Sequence, residues 1–279
     1  MLHIKKWITR FKSFFKAEKG LFYTTIGTTG SSIIGGVFWF VLASLIDVES
    51  YGLTNYYISL AAIFSAIALI GMDATTITFL AKGETKVWHQ ANSLVLISGL
   101  ITAVVLSVFQ WTAGILSIAM VFFMMSLAEV LGQKKYKEYA FISVGQRIAQ
   151  IALSLILYFP FGVLGLIIGY FLGNLLFSYK SLKSLPRFSL KIDSLREKRN
   201  YAIHSYGFNL IRNFTNNLDK IVIAPIFGYY VLGLYQLGFQ FFMFLSIIPL
   251  SLYYYLLPEE SSGKNKKIIK ILGFATSII

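Results

Sequence analysis

The sequence predicts an all-α integral membrane protein, a polytopic helix bundle, on three observations. Of 279 residues, 56% are hydrophobic and only 13% charged, about half the charged share of an ordinary globular domain. The mean hydropathy is +0.68. A soluble domain of this length could not cover so much apolar surface, whereas lipid is itself an apolar solvent. Finally, the basic residues fall in clusters between long apolar runs.

The elements follow in order. Residues 1–20 interleave Lys5, Lys6, Arg10, Lys12, Lys16 and Lys19 with Trp7, Ile8, Phe11, Phe14 and Phe15. That is the composition of an amphipathic segment on an anionic membrane surface, or of a solvated basic tail that sets topology. The apolar run after it is too long for the core of a signal peptide.

A membrane crossing needs ~20 apolar residues. Eight stretches qualify: 21–46, 53–70, 91–109, 113–131, 143–159, 162–178, 201–227 and 231–257. With the N-terminus placed inside, 22 of the 25 Lys and Arg residues fall on one side. The opposite loops, 47–52, 110–112, 160–161 and 228–230, carry none. The positive-inside rule therefore predicts a multi-pass protein of the cytoplasmic (plasma) membrane with a cytoplasmic N-terminus. It also accounts for the net charge of +13 as topology rather than nucleic-acid binding. Residues 268–279 are apolar apart from Lys270. They would cover only ~18 Å of a ~30 Å core, which reads as a ninth span cut off part-way.

Residues 42–55 (LASLIDVESYGLTN) and 223–236 (IAPIFGYYVLGLYQ) share a pattern at an offset of 181 residues. Each has an apolar span end, a short outer loop with a Gly-Leu step, and a new span opening with polar and aromatic residues. Six spans lie between the copies, so the repeats would be parallel. This predicts a six-helix lobe over 21–178, a basic cytoplasmic linker over 179–200 and the start of a second lobe over 201–279. The competing reading is that any two hairpins with a glycine in the outer turn look alike.

Span seven carries the candidate site. On a helical wheel with Asn209 at zero, Arg212, Asn213, Asn216, Asn217, Asp219 and Lys220 all fall within ~80°. Ionisable groups at that depth are costly unless they face a partner or a water-filled cavity. Arg offers a planar fork for phosphate or carboxylate, and the amides suit sugar hydroxyls. The competing reading is a self-satisfied network between helices, or snorkelling at an interface, with Lys220 expected to snorkel because it lies nearest the outer end. Arg147, flanked by Gln146 and Gln150, is expected to pair with Glu129 near the cytoplasmic mouth, or else to hold an anionic head group. Asp73 follows span two. Span one carries Thr25, Thr28, Thr29, Ser32, Gly35 and Gly36, which fit close helix packing, with substrate contact as the alternative. Gly165, Gly169 and Gly173 in span six form a small-residue face for another helix.

The chain has no cysteine. His3, His89 and His204 lack metal-ligand spacing, no phosphate-binding Gly-Lys-Ser/Thr loop occurs, and no paired carboxylates stand out. Neither metal nor cofactor nor enzymatic activity is expected.

The segment running from Phe38 through Glu84 resembles the N-terminal signature of polysaccharide exporters of the multidrug/oligosaccharidyl-lipid/polysaccharide (MOP) superfamily. Leu42, Ala43, Tyr51, Gly52, Gly71, Asp73, Leu80 and Ala81 fill the signature's places. Ser44 stands where a basic residue is common, and Asp47 where glycine is usual. The run "NLIRNFTNNLDKIVIAPIFGYYVLGLYQLGFQF" is similar to the opening of the family's second lobe, with Asp219 and Lys220 at its Asp-Lys/Arg step. The family has twelve to fourteen spans.

The resemblance implies MOP flippase-like topology and a flippase moving lipid-linked oligosaccharide by alternating access, with no bond made or broken. Arg212, Asp219, Lys220 and the neighbouring amides Asn209, Asn213, Asn216 and Asn217 would contact an anionic diphosphate-sugar head group. Arg147 would guard the inner mouth, with Asp73, Glu129, Thr25, Thr28 and Ser32 in support. The implied partners are that lipid-linked oligosaccharide, membrane lipids and glycan-assembly enzymes, without nucleic acid; the coupling ion stays open. Two other readings remain. A cation-coupled multidrug antiporter would favour buried acids over bases. A membrane-embedded glycosyltransferase or polymerase would need a catalytic outer loop, and the outer loops are short.

Overall fold

A computed structural model describes residues 19–184, 188–189 and 191–245, with the backbone alone at Leu21 and 243–245. Residues 1–18 of the amphipathic segment 1–20, the end of span eight and the apolar stretch 268–279 lie outside the described residues. Within them the secondary structure is helical, with no strand.

Five helices are long and apolar enough to cross a membrane, and three of these are folded pairs. Thr85–Gly132 has 48 residues, about 72 Å if straight at ~1.5 Å per residue, more than twice a bilayer core. It breaks at Gln110 (φ −148°, ψ 89°) and returns, so that a Cβ on Gly114 would stand 2.7 Å from the Ala103 carbonyl. Tyr136–Leu176 turns at Gly162 (φ 56°, ψ −137°), two residues after Pro160. Arg199–Leu245 turns at Gly228 (φ 86°, ψ 167°), three residues after Pro225. Proline removes a ladder donor and glycine alone takes these positive-φ conformations readily. Together with Phe22–Leu45 and Val48–Leu69, the described residues thus hold eight crossing segments, in the order the sequence predicts.

The ends differ from the sequence reading. Span two breaks at Ile70 and Gly71, both left-handed, and a further helix, Met72–Leu80, follows. The sequence counts that stretch as loop because nine residues cannot cross a bilayer. Two short helices lie in the basic stretch 179–200. Helices Tyr179–Lys183 and Asp193–Glu197 are pinned to span three, where Asn92 accepts from the Ser181 hydroxyl at 2.6 Å and donates to the Ser181 carbonyl at 3.1 Å. Gln90 accepts from the Ser194 and Leu195 amides.

Packing rests on small residues. The predicted glycine face of span six meets span five. A Cβ on Gly173 would lie 2.6 Å from Gln150 Cα, one on Gly169 would overlap the Ser154 backbone, and one on Gly165 would overlap the Leu157 carbonyl. Span one lies along span five through Gly20, Gly27 and Gly35, which face Tyr136, Tyr139 and Arg147. A π-helical turn, Ile26–Gly30, falls within this contact.

Span two is the common wall. At the end away from the lysines, Gly52 packs on the Tyr229 carbonyl and 2.8 Å from Gly233 N, while Gly233 packs on the Val48 carbonyl. Positions 52 and 233, like 48 and 229, are separated by the repeat's offset of 181. The repeated positions therefore contact each other reciprocally. At the lysine-rich end, Gly71 packs against the Ala202 carbonyl and 2.8 Å from Tyr206 N. Asp47 caps span two by accepting from Ser50 N–H at 2.8 Å, and this bond holds its carboxyl below the usual carboxylate range.

Two apolar clusters form the core. One gathers Phe38, Leu42, Tyr51, Leu60, Leu116, Leu166 and Tyr170. The other gathers Leu69, Met72, Trp88, Val95, Val121 and Met125. Val104, Phe109, Phe159 and Ile211 are exposed, as lipid-facing side chains of a multi-pass membrane protein should be.

Gly169→Val is expected to lower stability by about 1–3 kcal/mol, since the added carbons meet backbone and not a movable side chain. Gly207→Ala, in open space, should be neutral or stabilising by up to ~1 kcal/mol. Thermal unfolding in detergent compares the two; equal losses would contradict this packing.

Candidate functional site

Span seven's polar arc is cut in two by its packing. The side turned toward span two is set by Ala202 and Ala224, both buried, and points ~40° off the centre of the arc. Asn209, Asn213, Asn217 and Lys220 share that buried side, while Arg212 and Asn216 are exposed.

The polar groups form two clusters. Nearer the lysine-rich end, Asn209 Nδ2 donates to both oxygens of Asp73, at 3.2 and 3.1 Å. Arg212 donates to Asn209 Oδ1 at 3.3 Å and sets its charge near the buried Asp73. Toward the Gly228 turn, Asp219 accepts from the Tyr235 hydroxyl at 2.6 Å and from Lys220 at 3.4 Å. Lys220 also donates to the Asn216 carbonyl, and its ammonium lies 5.2 Å from the Phe239 ring centre. Asn213 and Asn217 donate to the carbonyls of Asn209 and Asn213, one turn back.

Lys220 therefore does not snorkel. It is 5% exposed, because the fold at Gly228 lays span eight over its stem and the charge finds a carboxylate, a carbonyl and a ring.

A cavity of about 330 Å³ opens among spans one, two, four, five and six. Its floor and walls include Trp39, Ser65, Gln150, Tyr170 and Asn174, and span seven contributes Asn213 alone. Its one charged lining residue is Arg147. Arg147 Nη1 donates to Gln150 Oε1 at 3.2 Å, and Gln146 Nε2 donates to the same oxygen at 2.7 Å. Gln146 also donates to Asn174 Oδ1 at 3.3 Å, and Asn174 donates to the Tyr170 carbonyl at 2.7 Å. Arg147 Nε and the Tyr170 hydroxyl are buried without a hydrogen-bond partner among the described residues. The cavity thus pairs a directional cation with amides and three aromatic side chains, Trp39, Phe123 and Tyr170.

The expected Arg147–Glu129 pair is not formed. Arg147 turns inward against Gly35, whose missing side chain leaves room for its Nε. Glu129 faces another wall, accepting from Gln133 at 2.7 Å in a separate pocket with Trp88 and Lys180. Nor do Thr25, Thr28 and Ser32 reach the cavity. Thr28 bonds the Thr24 carbonyl and the Tyr139 hydroxyl, and Ser32 bonds the Thr28 carbonyl; Thr25 is exposed. Of the residues picked from sequence, the structure brings Arg147 and Asn213 together at the cavity. Asp73, Asn209 and Arg212 form one separate group, and Asn216, Asp219 and Lys220 another.

Asn174, Tyr170 and Tyr235 were missed. Asn174 carries the signal used for span seven, an amide inside an apolar span, beside Gly173. The two tyrosines gave none, since aromatics are ordinary in lipid-embedded helices. Among the described residues, no three His, Asp or Glu side chains converge as a metal site would need.

A family model described as "Polysaccharide biosynthesis protein" matches residues 41–266, most of the chain. No curated protein and no solved structure matches.

Asn209→Ala is expected to cost about 1–3 kcal/mol, because it strips a buried carboxylate of its donor. Asn217→Ala, which removes only a bond to its own helix, should cost about 1 kcal/mol or less. Chemical denaturation in detergent measures the difference. Equal costs would mean that Asp73 does not depend on Asn209.

Proposed function

The chain belongs to the polysaccharide biosynthesis protein family, and from that premise we propose that it is a flippase. It would move a lipid-linked oligosaccharide across the cytoplasmic membrane by alternating access, making and breaking no bond. The observation that carries this reading is the cavity around Arg147. At about 330 Å³ it lies at the small end of ligand pockets, enough for the part of a substrate nearest its head group. Arg147 presents a buried Nε–H with no acceptor among the described residues, suited to an anionic phosphate oxygen. Gln146, Asn174 and Asn213 offer donors and acceptors to sugar hydroxyls.

Arg212 and Asn216, exposed on the neighbouring flank of span seven, would meet the head group outside this cavity. Alternating access requires one of span two's two glycine crossings to part while the other holds. The Asp73–Asn209 bonds lie beside the Gly71 crossing and would break when that end opens.

The antiporter reading is weaker. The cavity lining holds an arginine and no carboxylate, and Asp73 and Asp219 are engaged by Asn209 and Tyr235.

The test is translocation of a fluorescent lipid-linked oligosaccharide in proteoliposomes. Losing a charge-assisted bond worth about 1.5–3 kcal/mol slows transfer by roughly 10- to 150-fold in Arg147→Gln, with partial recovery in Arg147→Lys. Asn213→Ala should fall less, by about 2- to 10-fold, the cost of one neutral hydrogen bond. Wild-type rates in a folded Arg147→Gln variant would remove the cavity from the pathway.

A further inference from the structure

We propose that a second pocket, at the lysine-rich end and separate from the Arg147 cavity, binds the phosphate of an anionic glycerophospholipid. This pocket has a volume of about 570 Å³ and lies between the start of span one and the turn joining spans four and five. Lys19 and Tyr23 come from span one; Lys134, Lys135, Lys137 and Phe141 come from the turn and the helix after it.

The local fold brings these groups together. Lys134 adopts a left-handed conformation (φ 57°), which reverses the chain while Lys134 N–H and Lys135 N–H bond back to the Leu131 and Val130 carbonyls at 2.9 and 3.0 Å. Span one is held against this turn by Gly20, whose Cβ position is 2.7 Å from the Tyr136 ring. Four lysines from two elements thus line one pocket.

Charge and lining both point to a lipid. Among the described residues none of these four lysines forms a salt bridge. Glu138, the carboxylate in the lining, is taken by Lys180 at 3.0 Å and by the Tyr179 hydroxyl. A phosphate would be the missing anion. Tyr23 and Phe141 supply an apolar wall, and Phe141 is 70% exposed beside the membrane-facing surface. A soluble phosphate has no use for such a wall, whereas an acyl chain would lie along it. Basic pockets on this side of a bundle are where anionic head groups are held.

The experiment uses the full chain in nanodiscs and in detergent, with phosphatidylglycerol, phosphatidylcholine and inorganic phosphate as probes. Lipid retention is read by native mass spectrometry. The pocket variant is Lys134→Gln/Lys135→Gln/Lys137→Gln. The control, Lys82→Gln/Lys86→Gln/Lys191→Gln, removes the same charge from the same end but outside the pocket. Phosphatidylglycerol affinity should fall on the order of a hundredfold in the pocket variant, and by less than tenfold in the control. Equal losses would reduce the site to general surface attraction and overturn the proposal. So would competition by inorganic phosphate at concentrations matching the lipid. Should the pocket variant not fold, equal retention of phosphatidylglycerol and phosphatidylcholine by the wild-type protein would overturn it as well.

Discussion

The structure depends on backbone-to-backbone approach at glycine. In lipid, apolar side chains gain little by leaving one another's company for the bilayer, so helices associate through close packing and polar bonds. Gly165, Gly169 and Gly173 let span five lie directly on span six. Gly52 and Gly233 do the same for spans two and eight, and Gly71 for spans two and seven. Each contact places carbonyls or Cα atoms where a methyl group would otherwise stand. A larger residue there separates the helices over a whole turn, because backbone cannot swing aside as a side chain can.

This close packing also makes the cavity intelligible. Spans five and six are drawn together so tightly that Gln146, Gln150 and Asn174 must satisfy one another. Gln150 Oε1 takes two donors, from Gln146 and Arg147. The network settles the amides but leaves Arg147 Nε over. A buried charge with a donor left over is suited to an anion that enters the cavity. Lys220 illustrates the opposite solution. It too is a buried cation, yet it is covered by Asp219, a carbonyl and the Phe239 face, which leaves it nothing to offer a ligand.

The sequence revealed what depends on length, charge and period. Eight apolar runs and the lysine clusters sufficed for the crossings and their order. A four-residue glycine spacing sufficed for the span six contact, because such a row faces one way on any helix. Rotation of whole helices was not legible. Glu129 and Arg147 were paired because both lie near one end of the bundle, but nothing in their spacing says that Arg147 turns in beside Gly35. For the same reason the polar arc of span seven reads in the sequence as one face. Its buried direction is fixed by Ala202, Ala224 and the crossing at Gly71, none of which is polar. Helix Met72–Leu80 was hidden because a short helix at a membrane surface has no length signal.

The reciprocal contact at Gly52 and Gly233 bears on how such a bundle moves. The two segments touch through equivalent positions, a glycine of each lying on a carbonyl of the other, so the same kind of contact is made in both directions. The Gly71 crossing has no such symmetry, as a helix break meets an unbroken helix there. Its added hold is polar, through Asp73 and Asn209 and through the hydroxyls of Thr78 and Tyr201 at 2.7 Å. Hydrogen bonds can be exchanged for bonds to water where water reaches them, whereas carbonyl–glycine packing has no such substitute. The end beside Asp73 is therefore held by polar bonds as well as by backbone packing, and the end at Gly52 by reciprocal backbone packing. Asn213, the single span seven residue at the cavity, lies one turn beyond Asn209 and donates to its carbonyl, so one stretch of helix carries both the cavity contact and the Asp73 contact.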